Sequence, residues 1–210
     1  MNNIGTRILS AVILAPLFVA CIMLSSNLFI GLMALISILM LFEWHDMVRS
    51  KTGYLLLGLA IIMIPILSLV HIRLMEGGDY AILIYFIMIW AVDSFAMLGG
   101  RKIGGMKLAP RISPKKTWSG LFCGASASAA VLLTMPLLLP TFPLPLSGYK
   151  LACFGFIFGV IEQCSDLLIS YFKRRFNIKD SGIIIPGHGG MLDRFDGIIL
   201  TAPIILGLLI

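Results

Sequence analysis

Apolar stretches of close to twenty residues recur along this chain, at about 7–25, 27–45, 54–70, 80–98, 119–139, 149–171 and 196–210. A hydrocarbon core about 30 Å thick is crossed by about 20 helical residues, so these stretches have the length of transmembrane helices. Helices are the expected form, because in lipid each backbone N–H and C=O must find a partner within its own segment. No period-two alternation suggests barrel strands. The third stretch is short and carries Pro65, and the last has only 14 uncharged residues after Asp196. The expected fold is all-α: a polytopic transmembrane bundle of about seven spans, forming one domain over residues 1–210.

Composition agrees. The chain is 59% hydrophobic and 12% charged, against about 45–50% and about 25% in soluble domains. Cys21, Cys123, Cys153 and Cys164 lie in apolar segments without a CxxC pair, so they read as core or lipid-facing residues. Val19-Ala20-Cys21 after Arg7 faintly resembles a lipoprotein cleavage site. Phe18 and the later spans favour a retained first span instead.

Charge gives the orientation. With the N-terminus cytoplasmic, 14 of the 16 Lys and Arg residues fall inside: Arg7, Arg49, Lys51, six between Arg101 and Lys116, and five between Lys173 and Arg194. Only Arg73 and Lys150 fall outside. This is the positive-inside bias of a multi-pass protein. The net charge of +6, in so apolar a chain, points to membrane lipids or an anionic substrate and not to nucleic acid.

Two long polar stretches then share the cytoplasmic side, about 99–118 and 172–195. Asp93, Glu162 and Asp166 interrupt apolar spans, where a charge is costly and points to a function or a buried pair. Glu162, Asp166, Ser170 and Lys173 are spaced 4, 4 and 3 apart, hence on one helix face descending to the second loop. An internal ion pair is the plainer reading of Glu162.

The second loop carries Lys173-Arg174-Arg175, Lys179-Asp180-Ser181-Gly182 and Pro186-Gly187-His188-Gly189-Gly190-Met191-Leu192-Asp193-Arg194-Phe195-Asp196. Gly189 and Gly190 let a backbone approach a phosphate closely. Asp193 and Asp196, three apart where a helix can begin, can converge on one ion. Oxygen ligands without clustered Cys or His favour Mg²⁺. Lys173, Arg174, Lys179 and Arg194 can hold phosphate charge. The first loop adds Gly99-Gly100-Arg101-Lys102 and Ser113-Pro114-Lys115-Lys116-Thr117-Trp118, suited to a nucleotide or lipid phosphate.

The run from Ser170 through Lys173-Arg174, Lys179-Asp180, Gly182, Pro186-Gly187-His188-Gly189-Gly190 and Asp193-Arg194 to Asp196 resembles the signature of the phosphatidate cytidylyltransferase (CDP-diglyceride synthase) family. Asp93, Gly100-Arg101, the run from Pro110 to Trp118, Thr6-Arg7-Ile8 and Glu43-Trp44 are similar to that family too. Ser165 stands where the family usually has Gly, so packing beside Asp166 is expected to differ. The chain also has fewer spans before Asp93 than many members.

The resemblance implies a nucleotidyltransferase of phospholipid biosynthesis that converts CTP and phosphatidate to CDP-diacylglycerol and diphosphate, multi-pass in the cell (inner) membrane. It implies Asp166, Asp193 and Asp196 as Mg²⁺ ligands, with room for a second, monovalent cation, and Asp93 as a further ligand or a carboxylate behind them. Lys173 and Arg174 would neutralise phosphates. Lys179, Asp180, His188 and Arg194 would organise the loop or the triphosphate, and His188 is the candidate base if one is needed. Arg101, Ser113, Lys115, Lys116, Gly189 and Gly190 would bind substrate. A homodimer is compatible with this reading.

Rival classes are a polyprenol kinase, a CDP-alcohol phosphatidyltransferase, a transporter and a lipid-binding scaffold. The phosphatidyltransferase motif continues from Asp-Gly through Ala-Arg, whereas here Asp196-Gly197 leads into Ile198-Ile199-Leu200. A transporter would place its polar residues near mid-membrane at a repeat interface.

Overall fold

The computed structural model describes residues 15–49, 51–138, 146, 148–182, 184 and 189–210. Seven helices follow one another among them: α1 (Ala15–Leu24), α2 (Ser26–Val48), α3 (Thr52–Leu74), α4 (Gly78–Lys102), α5 (Trp118–Leu138), α6 (Tyr149–Arg175) and α7 (Ile198–Leu209). Five of these, α2 to α6, are long and apolar enough to cross a membrane. Among the described residues the expected seven spans are five long helices and two shorter apolar ones, and of the first span only Ala15–Leu24 falls within those residues. In α7 the cause is local: residues 192–197 form turns, so the helix begins only at Ile198. Thr6, Arg7 and Ile8 lie outside the described residues.

The third span, expected to be short, is not. α3 continues through Pro65 for 23 residues. A proline removes one helical N–H donor. Pro65 is buried against the bundle, where neighbouring helices and small backbone adjustments accommodate the freed carbonyl.

One buried apolar cluster links all seven helices through residues such as Ile22, Met33, Leu69, Phe86, Leu132, Ile169 and Ile198. The seam between α5 and α6 is built from small residues instead. A Cβ at Gly155 would stand 2.7 Å from Ala129 Cα, and one at Gly159 would stand 2.6 Å from Ala125 Cα. The two backbones nearly touch, in the small-xxx-small pattern of membrane helices. This fixes α6 against α5 with little play.

The connections bring the C-termini of α2, α4 and α6 and the N-termini of α3 and α5 to one end, while α7 starts deeper, beside Glu162 and Ser165 of α6. Trp44 meets Phe172 edge-on with ring centroids 5.1 Å apart, and Tyr54 meets Phe176 likewise at 5.1 Å. Trp44 Nε1 donates to the Tyr54 carbonyl at 2.8 Å. At the other end, Arg73 Nε donates to the Ile22 carbonyl at 2.9 Å.

Between α4 and α5 the chain forms a hairpin, β1 (Lys107–Ala109) against antiparallel β2 (Ser113–Thr117). Lys107 lies opposite Thr117 and Ala109 opposite Ser113, with a register shift between. The sequence shows this stretch only as a polar loop, so the hairpin is a small departure from all-α. The first four residues of that stretch, Gly99 to Lys102, belong to α4, and Phe172 to Arg175 belong to α6. Thr117 closes β2 and caps α5, its Oγ1 accepting from Gly120 N at 3.1 Å. Such a cap satisfies one of the helix's orphan donors.

Candidate active site

The acidic stripe read from spacing lies on one helix, α6, and runs to the connector end. Glu162 is buried, receives a bond from Gln163 Nε2 at 2.9 Å, and faces the turn before α7. A Cβ at Gly197 would stand 2.9 Å from Glu162 Oε1. One turn on, Asp166 Oδ1 accepts from Ser170 Oγ at 3.2 Å, and Asp166 Oδ2 pairs with Lys116 Nζ at 2.5 Å. Lys116 comes from β2, where the register shift lies; such irregularities re-aim side chains. Its neighbour Lys115 is exposed. The first polar loop thus delivers one ammonium to an intramembrane carboxylate.

At the end of α6, Lys173 Nζ donates to Asp193 Oδ1 at 2.6 Å, with both side chains largely buried. Asp193 Oδ2 accepts from Ser181 N at 2.9 Å and Gly190 N at 3.1 Å. Burial pushes the Asp193 carboxyl up, but the Lys173 ammonium and the two backbone donors outweigh it and hold it below the usual carboxylate range.

Asp196 takes a different environment. The sequence allowed Asp193 and Asp196 to converge as neighbours on one helical turn. The structure has irregular turns there, and Asp196 interacts with Asp166, Asp93 and Glu162. Burial, and then the Asp166 and Asp93 charges, push the Asp196 carboxyl well above its usual range. Asp93, exposed on α4, is within electrostatic reach of Asp166, Lys116 and Arg194. Asp93, Glu162, Asp166 and Asp196 therefore share one negative field. The cations acting on it are Lys116, Arg194 and Lys173, the last already paired with Asp193.

This donor set fits a hard divalent cation. It offers carboxylate oxygens in excess of the cations facing them, with no imidazole or thiolate in the described bonds, as Mg²⁺ requires. It is not a closed cage: among the described residues no three His, Cys, Asp or Glu side chains stand grouped for a metal ion.

Arg174 Nε donates to the Ile112 carbonyl and its Nη1 to the Ile178 carbonyl, both at 3.1 Å. It thereby staples the hairpin turn to the segment after α6, and keeps further guanidinium donors beyond these two bonds. Ser113 is on β2, Arg101 is exposed in the last turn of α4, and Lys179, Asp180 and Arg194 are exposed beside the second loop. Gly189 has φ +85°, and Gly190 gives its N–H to Asp193. His188, with Pro186 and Gly187, lies outside the described residues.

Ser165 has a specific task. It is fully buried, its Oγ donates to the Asp196 carbonyl at 2.5 Å and accepts from Leu200 N at 3.1 Å. It caps α7 from α6, beside Asp166. Ser165→Ala leaves both backbone groups without that partner, at a cost of about 1–3 kcal/mol. A lowered melting temperature in detergent is the expected reading; an unchanged one would show that the cap is dispensable.

Sequence reasoning left one residue out of the site. Glu43 on α2 is buried and accepts three hydrogen bonds from the second loop. Its signals were a carboxylate at the end of an apolar span and the Glu43-Trp44 match to the family, neither of which pointed to the second loop.

The fold and site define a class: a polytopic membrane protein whose intramembrane carboxylates meet two cation-rich segments at one end of the bundle. The model of the "Cytidylyltransferase family" matches residues 50–209. The chain is 50% identical over 208 residues to the phosphatidate cytidylyltransferase of Rickettsia bellii, covering 97% of this chain and 90% of that protein. It is 49% identical to the one of Rickettsia typhi, covering 99% and 92%. The phosphatidate cytidylyltransferase of Brucella melitensis is 36% identical over 80% of this chain and 60% of its own length. The chain belongs to the cytidylyltransferase family.

Proposed function

We propose that this chain transfers the cytidylyl group of CTP to phosphatidate, giving CDP-diacylglycerol and diphosphate. The observation that carries this reading is the junction of the Lys173–Asp193 loop, the Lys116 hairpin and the Asp166 carboxylate at one end of the bundle. A water-soluble triphosphate and a lipid phosphate can meet only at such a boundary. The names of the near-full-length relatives supply the substrates.

A phosphatidate phosphate oxygen attacks the α-phosphorus of CTP, and the bond from that phosphorus to the bridging oxygen of the β-phosphate breaks, so diphosphate leaves. Both reactants are anions, so the protein's contribution is positioning and charge neutralisation. Lys116, Lys173 and Arg194 stand where negative charge gathers. Arg174, Lys115 and Lys179 extend the cationic rim, and Arg101 and Ser113 lie along the hairpin side. The attacking oxygen is already ionised at neutral pH, so no protein base is required. Asp166 and Asp196, with Asp93 in their field and Asp193 supplied by the Lys173 loop, would hold Mg²⁺, and the excess carboxylate leaves room for a monovalent cation. Bound there, Mg²⁺ would supply neutralisation of triphosphate charge.

The cation bias supports a cytoplasmic N-terminus and a cytoplasmic site, with the chain in the cell (inner) membrane. The test is direct. Purified protein in detergent, given phosphatidate, labelled CTP and Mg²⁺, is expected to form labelled CDP-diacylglycerol. Absence of that product across lipid and metal conditions would sink the proposal, and a phosphorylated lipid alcohol with CDP would indicate the kinase instead.

A further inference from the structure

Glu43 lies 4% exposed near the C-terminal end of α2, more than a hundred residues before the loop it touches. Among the described ion pairs none involves Glu43. Its charge is met by hydrogen-bond donors from one segment. Oε2 accepts from Ser181 Oγ and Leu192 N, each at 2.8 Å, and Oε1 accepts from Met191 N at 2.7 Å.

The pattern interleaves with that of Asp193. Ser181 gives its hydroxyl to Glu43 and its amide to Asp193. Of the successive amides at 190, 191 and 192, the first goes to Asp193 and the next two to Glu43. The loop glycines fit this arrangement. A Cβ at Gly182 would stand 2.6 Å from Glu43 Oε1, and one at Gly190 would stand 2.5 Å from Glu43 Oε2. The segment is thus wrapped around a carboxylate from another helix, and its Ser181 and Gly190 amides also bond Asp193.

Anchoring a loop with a buried carboxylate is costly compared with apolar packing. What directed bonds add is placement of particular backbone atoms. We infer that Glu43 is a positioning residue for the reaction: it clamps Ser181 and residues 191–192 so that the Asp193 carboxylate and the Lys173 ammonium hold one fixed arrangement. The kinetic part of this inference rests on the proposed cytidylyl transfer; the clamp itself does not.

The informative variant is Glu43→Gln, which keeps shape but sets an NH₂ group against a donor of the loop. Glu43→Asp keeps the charge on a shorter arm. Two measurements on the full-length protein in detergent separate the cases. Hydrogen exchange reports local opening independently of activity; Ser181, Met191 and Leu192 amides are expected to exchange faster in Glu43→Gln while the helices keep wild-type protection. With CTP and phosphatidate, kcat is expected to fall by ~10-fold to ~100-fold, the size of an ångström-scale misplacement. The KM for CTP should stay within about twofold, because ground-state binding is retained. Glu43→Asp should recover part of kcat.

Wild-type kcat in Glu43→Gln would overturn the inference. So would a raised KM at unchanged kcat, or a loss of kcat matched by a general loss of protection. If the wild-type protein makes no CDP-diacylglycerol while Glu43→Gln still opens only this loop, the reaction fails and the clamp stands.

Discussion

Asp166→Asn is expected to lower turnover by at least ~10²-fold to ~10³-fold, the range seen when one preorganised charge-stabilising group is lost, without lowering the melting temperature in detergent. The two halves of that expectation come from the same geometry. Asp166 is shared by the hairpin ammonium of Lys116 and the hydroxyl of Ser170, and it lies in the field of Asp93, Glu162 and Asp196. A neutral amide removes the charge that the reaction needs. It also removes one member of a mutually repelling set, which offsets the loss of the pair with Lys116. Product formation and thermal unfolding measured on the same preparation decide the matter. If Asp166 served only as a structural partner for Lys116, the variant would unfold earlier and the folded remainder would keep near-wild-type rates.

Lys173→Met is expected to behave differently, losing turnover and stability together. Lys173 and Asp193 form a largely buried pair at 2.6 Å. Removing one partner of such a pair leaves the other uncompensated, at a cost of about 3–5 kcal/mol. The double variant Lys173→Met with Asp193→Asn should regain part of the melting temperature, since no unpaired charge is left, and none of the turnover. Acidification checks the pair separately. The folded carboxyl of Asp193 is held below its ordinary range of about 3.9. Its contribution is therefore fully present above that unfolded value and is lost as pH falls through the lower folded one. Asp193→Asn should lose no comparable stability over the acid limb of the melting curve. Equal acid sensitivity of the two proteins would show that the pairing is not what holds the loop.

Local sequence carried much of this arrangement. Hydropathy located α2 to α6 because lipid imposes a length on every crossing helix. The spacing of Glu162, Asp166, Ser170 and Lys173 identified a helix face because helical geometry leaves no freedom once the helix is granted. What escaped were features decided between distant segments. Glu43-Trp44 was visible as a match to the family, but its role was not, since its partners are 138 to 149 residues away. Asp193 and Asp196 look equivalent when assumed to share a helical turn, and part company because α7 starts later. The Ser113–Thr117 strand contains Pro and two Lys and has no apolar alternation, so its pairing with Lys107–Ala109 had no local signature. Ser165 looked like a packing substitution and proved to be a cap supplied from a neighbouring helix.

The Arg174 staple has a consequence for how such a protein can change over time. By bonding the Ile112 carbonyl on one side and the Ile178 carbonyl on the other, it makes two connectors of separate origin in the chain share a single hinge pin. A length change in either connector that shifts its carbonyl costs one of the two bonds. A change in the hairpin turn is thus felt directly at the segment leaving α6, through one guanidinium.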